Sequence, residues 1–159
     1  MITTIDAWCT FRAGGHTYAI PVERVQEVLR PVAITPVPLA PAAVRGLLHL
    51  RGDIVTVVDL AAALALPPAA LVPESHVVVR DGALAVSLLV ESIGDVSHHA
   101  PGSMQPAPRT LNARTRSLVV GTVPRAHDLL LVLDLDAVLD AAFAPAGGPE
   151  LREGARESA

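Results

Sequence analysis

The chain repeats itself, and that duplication constrains its fold more than any single motif. Gly14, Tyr18, Val25, Glu27 and Val28 match Gly82, Val86, Ile93, Asp95 and Val96 at an offset of 68 residues. Further along, Ile-Val-Thr-Val-Val-Asp59-Leu60 with Leu64 matches Leu-Leu-Leu-Val-Leu-Asp134-Leu135 with Leu139 at an offset of 75. The difference of seven is an insertion that the loop after Pro101 can absorb. Two similar units are implied within 159 residues.

Inside each unit the apolar runs are short and punctuated by turn residues. Residues 7–12 and 16–20 form a hairpin about Ala13-Gly14-Gly15. Pro21 then opens Val22, Val25, Val28 and Leu29 at helical spacing and Pro31 closes them, which predicts a short amphipathic helix. Pro36, Pro38 and Pro41 keep the next connection extended, because proline offers no backbone donor. Residues 47–50 and 54–58 flank Arg51-Gly52-Asp53 as a second hairpin, with Gly52 supplying the positive φ of the turn. The second half brings strands at 75–80 and 83–89 about Asp81-Gly82, an excursion through Ile93-Gly94-Asp95-Val96, strands at 117–123 and 129–133, and a helix over 134–143. A Gly/Ser/Pro-rich loop spans 101–108, and residues from 144 lack apolar period and read as a disordered tail, 144–159.

Many short strands with few helices predict a mainly β protein of two small barrels, which close their own edges. The expected boundaries are 14–72 for lobe one and 73–143 for lobe two, with strand exchange at the N-terminus allowed for. Lobes this small share an interface, and the seam between them is the natural concave binding site.

Composition removes most chemistry. All 12 basic residues are arginine, so no Schiff-base, phosphate-loop or general-base lysine exists. The net charge of −4 and scattered arginines give no footprint for nucleic acid. Cys9 stands alone beside Trp8 and cannot form an internal disulfide, which suits a reducing cytoplasm; in an apolar strand its thiol is inert. The first residues lack the regions of a signal peptide, and the longest uncharged apolar stretch, 60–72, is short and broken by Pro67-Pro68, so membrane insertion is not expected. His16, His49, His76, His98, His99 and His127 lack ligand spacing, so neither metal nor cofactor is expected, and no Gly-x-Ser-x-Gly elbow occurs. Asp59 and Asp134 each stand where an apolar strand gives way to a helix, which fits N-capping better than paired acid–base work. Arg51, in a tight turn beside Gly52, is the leading site candidate, with Glu27 as its partner.

The run Tyr18-Ala-Ile-Pro-Val-Glu-Arg-Val25-Gln-Glu27-Val-Leu-Arg30, then Pro41-Ala-Ala-Val-Arg-Gly46-Leu-Leu-His-Leu50-Arg51-Gly52-Asp-Ile-Val-Thr-Val-Val-Asp59-Leu60, resembles the CheW coupling-protein family. Gly82 to Val96, Pro106-Ala-Pro108 and Leu129 to Leu139 agree as well, so the resemblance covers residues 7–140. It implies two SH3-like five-stranded barrels forming a non-enzymatic adaptor, cytoplasmic and recruited to receptor arrays, between the tip of a methyl-accepting chemoreceptor and the regulatory domain of a CheA-type histidine kinase. A receptor surface at the seam is expected from Val25, Glu27, Gly46, Leu50, Arg51 and Gly52, with Val25 and Gly46 apolar and Arg51 orienting. A kinase-contact loop is expected at Pro106, Pro108 and Thr110. Three positions depart from the family's usual residues: His49 replaces asparagine, Thr56 replaces proline, and Arg109-Thr110 replaces a large apolar residue. The alternative from another class is a β-barrel ligand-binding module or small hydrolase using the seam.

Overall fold

A computed structural model describes residues 6–67, 72–99 and 102–144. The tail beyond 144 and the first five residues lie outside them. Ten strands and three short helices follow in order: β1 (Asp6–Ala13), β2 (His16–Pro21), a 3-10 turn (Val22–Arg24), β3 (Val25–Leu29), β4 (Val44–Leu50), β5 (Asp53–Asp59), α1 (Leu60–Ala63), β6 (Ser75–Asp81), β7 (Leu84–Val90), β8 (Ser92–His99), α2 (Ala113–Leu118), β9 (Val119–Pro124), β10 (Leu129–Leu133) and α3 (Leu135–Ala142). They build two mixed five-stranded sheets, ordered β8-β1-β2-β10-β9 and β3-β6-β7-β5-β4.

The duplication is visible strand by strand. Adding 68 to β2 and subtracting 75 from β10 turns the parallel pairs Leu131↔Tyr18 and Val132↔Ala19 into Thr56↔Val86 and Val57↔Ser87, each of which is observed. The bulge between Val25 and Glu27 in β3, opposite β6, recurs in β8, where the three steps from Ile93 to Val96 oppose only two from Phe11 to Cys9 in β1. Asp59 and Asp134 occupy equivalent strand-to-helix junctions, their amides donating to Ala43 and Leu118 at 2.8 and 2.9 Å.

Each unit nevertheless lends its first hairpin to the other. Hairpin β1–β2 sits in the sheet of β8, β9 and β10, and hairpin β6–β7 in the sheet of β3, β4 and β5. The expected division at 72/73 is therefore not the division between sheets, and the N-terminal exchange involves two strands, reciprocated by β6 and β7. Connection length explains it. A strand that joined β1 on its free side would lie parallel to β2, and a parallel crossover needs a dozen or more residues. Only Val22–Arg24 separates β2 from β3, and only Glu91 separates β7 from β8.

The predicted helix over 22–29 is instead one 3-10 turn followed by strand β3. Val25, Val28 and Leu29 match the helical period, but two of them are β-branched, and β6 decides, pairing them with Val79, Val77 and His76 and leaving Val28 exposed by strand alternation. The excursion at 93–96 is likewise strand β8, and the strand expected from 117 begins at Val119, because Ser117 and Leu118 end the unpredicted helix α2.

The main core lies between the sheets, where Phe11, Tyr18, Ile20, Val58, Leu60, Leu64, Val77, Leu88, Leu131 and Leu139 are buried together. Smaller clusters fill the opposite faces: Ala19, Val123, Leu130 and Val132 with Trp8 on one sheet, and Leu48, Val55, Val57 and Leu89 on the other. Strand alternation sends successive residues such as Leu130 and Leu131 to different clusters.

Candidate protein-interaction site

Leu50 pairs with Asp53, which leaves Arg51-Gly52 as a two-residue turn between β4 and β5. Both residues have positive φ, 53° and 85°. That combination suits the right-handed twist of the flanking strands. From the turn, Arg51 reaches Glu27 with two hydrogen bonds, Nε to Oε1 at 3.2 Å and Nη2 to Oε2 at 2.8 Å. Glu27 stands just past the bulge in β3, so the fork joins the two terminal strands of one sheet. The Arg51 side chain is 75% exposed and that of Glu27 20%. The hydrogen bond from Arg51 holds the Glu27 carboxyl below its ordinary range against desolvation, with a lesser contribution from the Arg51 charge, while the guanidinium is raised in return.

Beside this pair opens a shallow cleft of about 210 Å³ lined by Gln26, Leu50, Arg51, Ile54, Arg80 and Leu84. Ile54 and Leu84 are well exposed on it. Arg80 donates to Gln26 Oε1 at 3.1 Å. The corner thus offers apolar side chains framed by two guanidiniums, a surface suited to a protein partner.

Glu27, Leu50, Arg51 and Gly52 come together as expected, but at the end of one sheet rather than in the seam between the two. Val25 and Gly46 do not join them as an exposed apolar surface. Val25 is half-buried and packs on the core between the sheets. Gly46 is buried with φ +145°, and a Cβ there would overlap the Thr35 carbonyl oxygen and lie 2.8 Å from its carbon and 3.0 Å from Ile34 Cγ2. The proline-rich connection covers it, because Thr35 and Leu47 exchange two backbone hydrogen bonds of 2.8 Å. Gly46 is required for that close approach, not for an open surface.

The second candidate loop belongs to the other sheet. Gln105 exchanges backbone hydrogen bonds with Thr122 at 2.7 and 2.8 Å, and Thr122 Oγ1 donates to the Pro106 carbonyl at 3.3 Å. Pro106 and Thr110 are exposed and Pro108 is half-buried.

Asp59 and Asp134 cap α1 and α3, accepting from the amides of Ala62 and Ala137. Asp59 does more: its Oδ2 accepts from Arg45 Nε at 3.0 Å and Nη2 at 2.8 Å. Sequence inspection missed Arg45, although the repeat carries the signal, since the equivalent position is Val120 and among the described residues no cation pairs with Asp134. Arg24 was missed too; it bridges the units, pairing with Asp136 at 2.8 Å and donating to the Arg80 carbonyl. Cys9 is buried and its thiol is pushed up by desolvation, and the same effect raises Tyr18 to about 12. Among the described residues no three histidine, cysteine or acidic side chains gather as a metal site, and no helix is long and apolar enough to cross a membrane.

A duplicated, hairpin-exchanged pair of β-sheets whose prominent surface is a charged and apolar corner defines a protein-interaction module. The chain belongs to the family of the CheW-like domain, which matches residues 8–143. It is similar to the chemotaxis protein CheW of Rhizobium meliloti (strain 1021), 29% identical over 129 residues, covering 80% of this chain and 83% of that protein. It is also similar to the chemotaxis protein CheW of Bacillus subtilis (strain 168), 28% identical over 142 residues, covering 87% and 90%. The crystal structure of the scaffolding protein TtCheW from Thermoanaerobacter tengcongensis shares the fold with a TM-score of 0.74 at 20% identity, over 84% of this chain and 87% of that one.

Proposed function

We propose that this chain is a chemotaxis coupling adaptor. It holds the tip of a methyl-accepting chemoreceptor and the regulatory domain of a CheA-type histidine kinase in one cytoplasmic assembly at receptor arrays, and it performs no chemical step of its own. The observation that carries the proposal is the family match over residues 8–143, which spans both sheets and every element around the Glu27–Arg51 corner. The receptor tip, a helical hairpin, docks at that corner, with Leu50 and the cleft taking apolar side chains and Arg51 fixing orientation. The loop of Pro106, Pro108 and Thr110 contacts the kinase. An adaptor of this kind works through the geometry of its interfaces, so charged rim residues set specificity more than affinity. The ligand-binding or hydrolytic alternative finds no support in the family or the relatives.

The test is reconstitution. The purified chain is added to the cognate kinase and a soluble receptor signalling fragment, and kinase autophosphorylation is followed. Receptor-dependent activation that requires the chain is expected. Failure to bind either protein would overturn the proposal.

A further inference from the structure

Among the described residues one histidine is buried: His76 is 1% exposed, and its Nδ1 lies 2.8 Å from the Oγ of the fully buried Ser87. On the ladders His76 stands opposite Leu89 of β7 and Leu29 of β3, and Ser87 opposite Val57 of β5. Leu89 and Val57 belong to the cluster they form with Leu48 and Val55, and Leu29 packs on it. Residues opposite each other on a ladder share a side of the sheet, so the imidazole is sunk in that apolar cluster.

The fold does not require a polar pair there. At the offsets of 68 and 75, His76 and Ser87 match Trp8 and Ala19, while Leu48, Val55 and Val57 match Val123, Leu130 and Val132. The ladders agree. Trp8 faces Pro21 and Ser97 where His76 faces Leu89 and Leu29, and Ala19 faces Val132 where Ser87 faces Val57. In the other sheet this place is filled by Trp8, Ala19, Val123, Leu130 and Val132, with no titratable group. A ring paired with a small residue recurs in both sheets, and the sheet of β3 to β7 makes it ionisable.

The pair lies beneath the Glu27–Arg51 corner. Leu50, Val55 and Ala85 line the cleft of that corner and are part of, or pack on, the cluster around His76. The charged groups of the surrounding strands are Glu27 on β3, Arg45 and His49 on β4, Asp53 and Asp59 on β5, and Arg80 and Asp81 on β6; β7 has none, and the connection across β4 adds Arg30. Arg51 holds Glu27, Arg45 holds Asp59, and Arg80 donates to Gln26. His49, Asp53, Asp81 and Arg30 are exposed. An imidazolium at position 76 would therefore lose water without gaining a carboxylate, and burial lowers the pKa of His76 accordingly.

We infer that His76 is an acid-sensitive latch: taking up a proton, it opens the sheet of β3 to β7 from within and withdraws the corner from the receptor, while the other sheet stays closed. This rests on the adaptor reading and supplies a regulation of its receptor surface. A receptor seated on the cleft holds the sheet shut, so receptor binding and proton uptake oppose each other by the same factor.

The experiment follows hydrogen exchange of the full chain at about pH 7.5 and about pH 5.5, with rates corrected for the intrinsic effect of pH. Opening of β4, β5 and β7 should rise about five- to tenfold at the lower pH, about one unit below the ordinary histidine value, with β9 and β10 unchanged. The variant H76W/S87A, which copies the pair of the other sheet, should abolish the rise; H76L/S87A takes its place should the larger ring lower the melting temperature by more than about 5 °C. In calorimetric titrations with a soluble receptor fragment, the affinity of the parent should fall at least about threefold more than that of the variant between the two pH values. No rise in β4 and β5, an equal rise in both sheets, or a rise that survives in the variant would overturn the inference. Receptor affinity falling equally in parent and variant would sever the latch from the corner and overturn it as well. A parent chain that opens in acid as described but binds no receptor fragment at about pH 7.5 would instead sink the adaptor reading, and the control of the corner with it.

Discussion

Replacing Gly46 by alanine tests whether that glycine serves the fold or a partner. The new Cβ would overlap the Thr35 carbonyl oxygen and approach its carbon to 2.8 Å, both of them backbone atoms that cannot swing aside. Relief requires the connection to lift from β4. That breaks the two Thr35–Leu47 hydrogen bonds, worth about 1 kcal/mol each, and loosens Ile34 from the cluster of Leu48, Val55, Val57 and Leu89. The backbone at φ +145° adds about 1–3 kcal/mol of strain once a side chain is present. The sum is about 3–5 kcal/mol, which lowers the melting temperature by about 10–15 °C in a domain of this size. Two companion variants isolate the causes. Gly52→Ala has positive φ but nothing within 4 Å of its Cβ, so only strain remains, about 1–2 kcal/mol. Gly121→Ala occupies the matching place in the other sheet, where the crowding comes largely from the flexible Met104 side chain, so its cost is smaller than that of Gly46→Ala. Circular-dichroism melts of the three proteins should rank Gly46→Ala as the most damaging by a wide margin. A Gly46→Ala protein melting within about 2 °C of the parent would refute the close-approach argument. By the same reasoning, Gly46→Asp would report on folding and not on receptor binding.

Arg51→Glu should abolish most receptor-coupled kinase activation with little change in melting temperature, and adding Glu27→Arg should restore part of it; normal coupling by the single variant would show that Arg51 is only a turn residue. His76 is buried with Nδ1 2.8 Å from Ser87 Oγ, and burial lowers its pKa below 6.5. The unfolded chain therefore binds that proton more readily, so stability is full above about pH 6.5 and falls below it by at most about 1.4 kcal/mol per pH unit, a slope that urea midpoints should lose in His76→Leu/Ser87→Ala. Asp134→Ala should cost about 0.5–2 kcal/mol as a lost cap, and Asp59→Ala more, because it also strips Arg45 of its carboxylate; equal losses in chemical denaturation would contradict the structural difference between the two junctions.

The sequence by itself determined the duplication, the mainly β class, the two aspartate caps and the Arg51–Glu27 pair. Each depends on residues whose local chemistry leaves few options: a two-residue turn between apolar runs, or an aspartate where a strand enters a helix. It misdirects at residues 22–29, because Val25, Val28 and Leu29 follow the helical period, whereas the partner strand β6 imposes alternation that leaves Val28 exposed. Nor could it assign Gly46, which looks like surface until Thr35, eleven residues earlier, is laid across it. The largest decision left to tertiary structure was which copy of the hairpin joins which sheet. Both hairpins present equivalent apolar faces, so local pattern is neutral between them. The choice falls to the linkers, Val22–Arg24 and Glu91, too short for the parallel crossover that an unexchanged sheet would need.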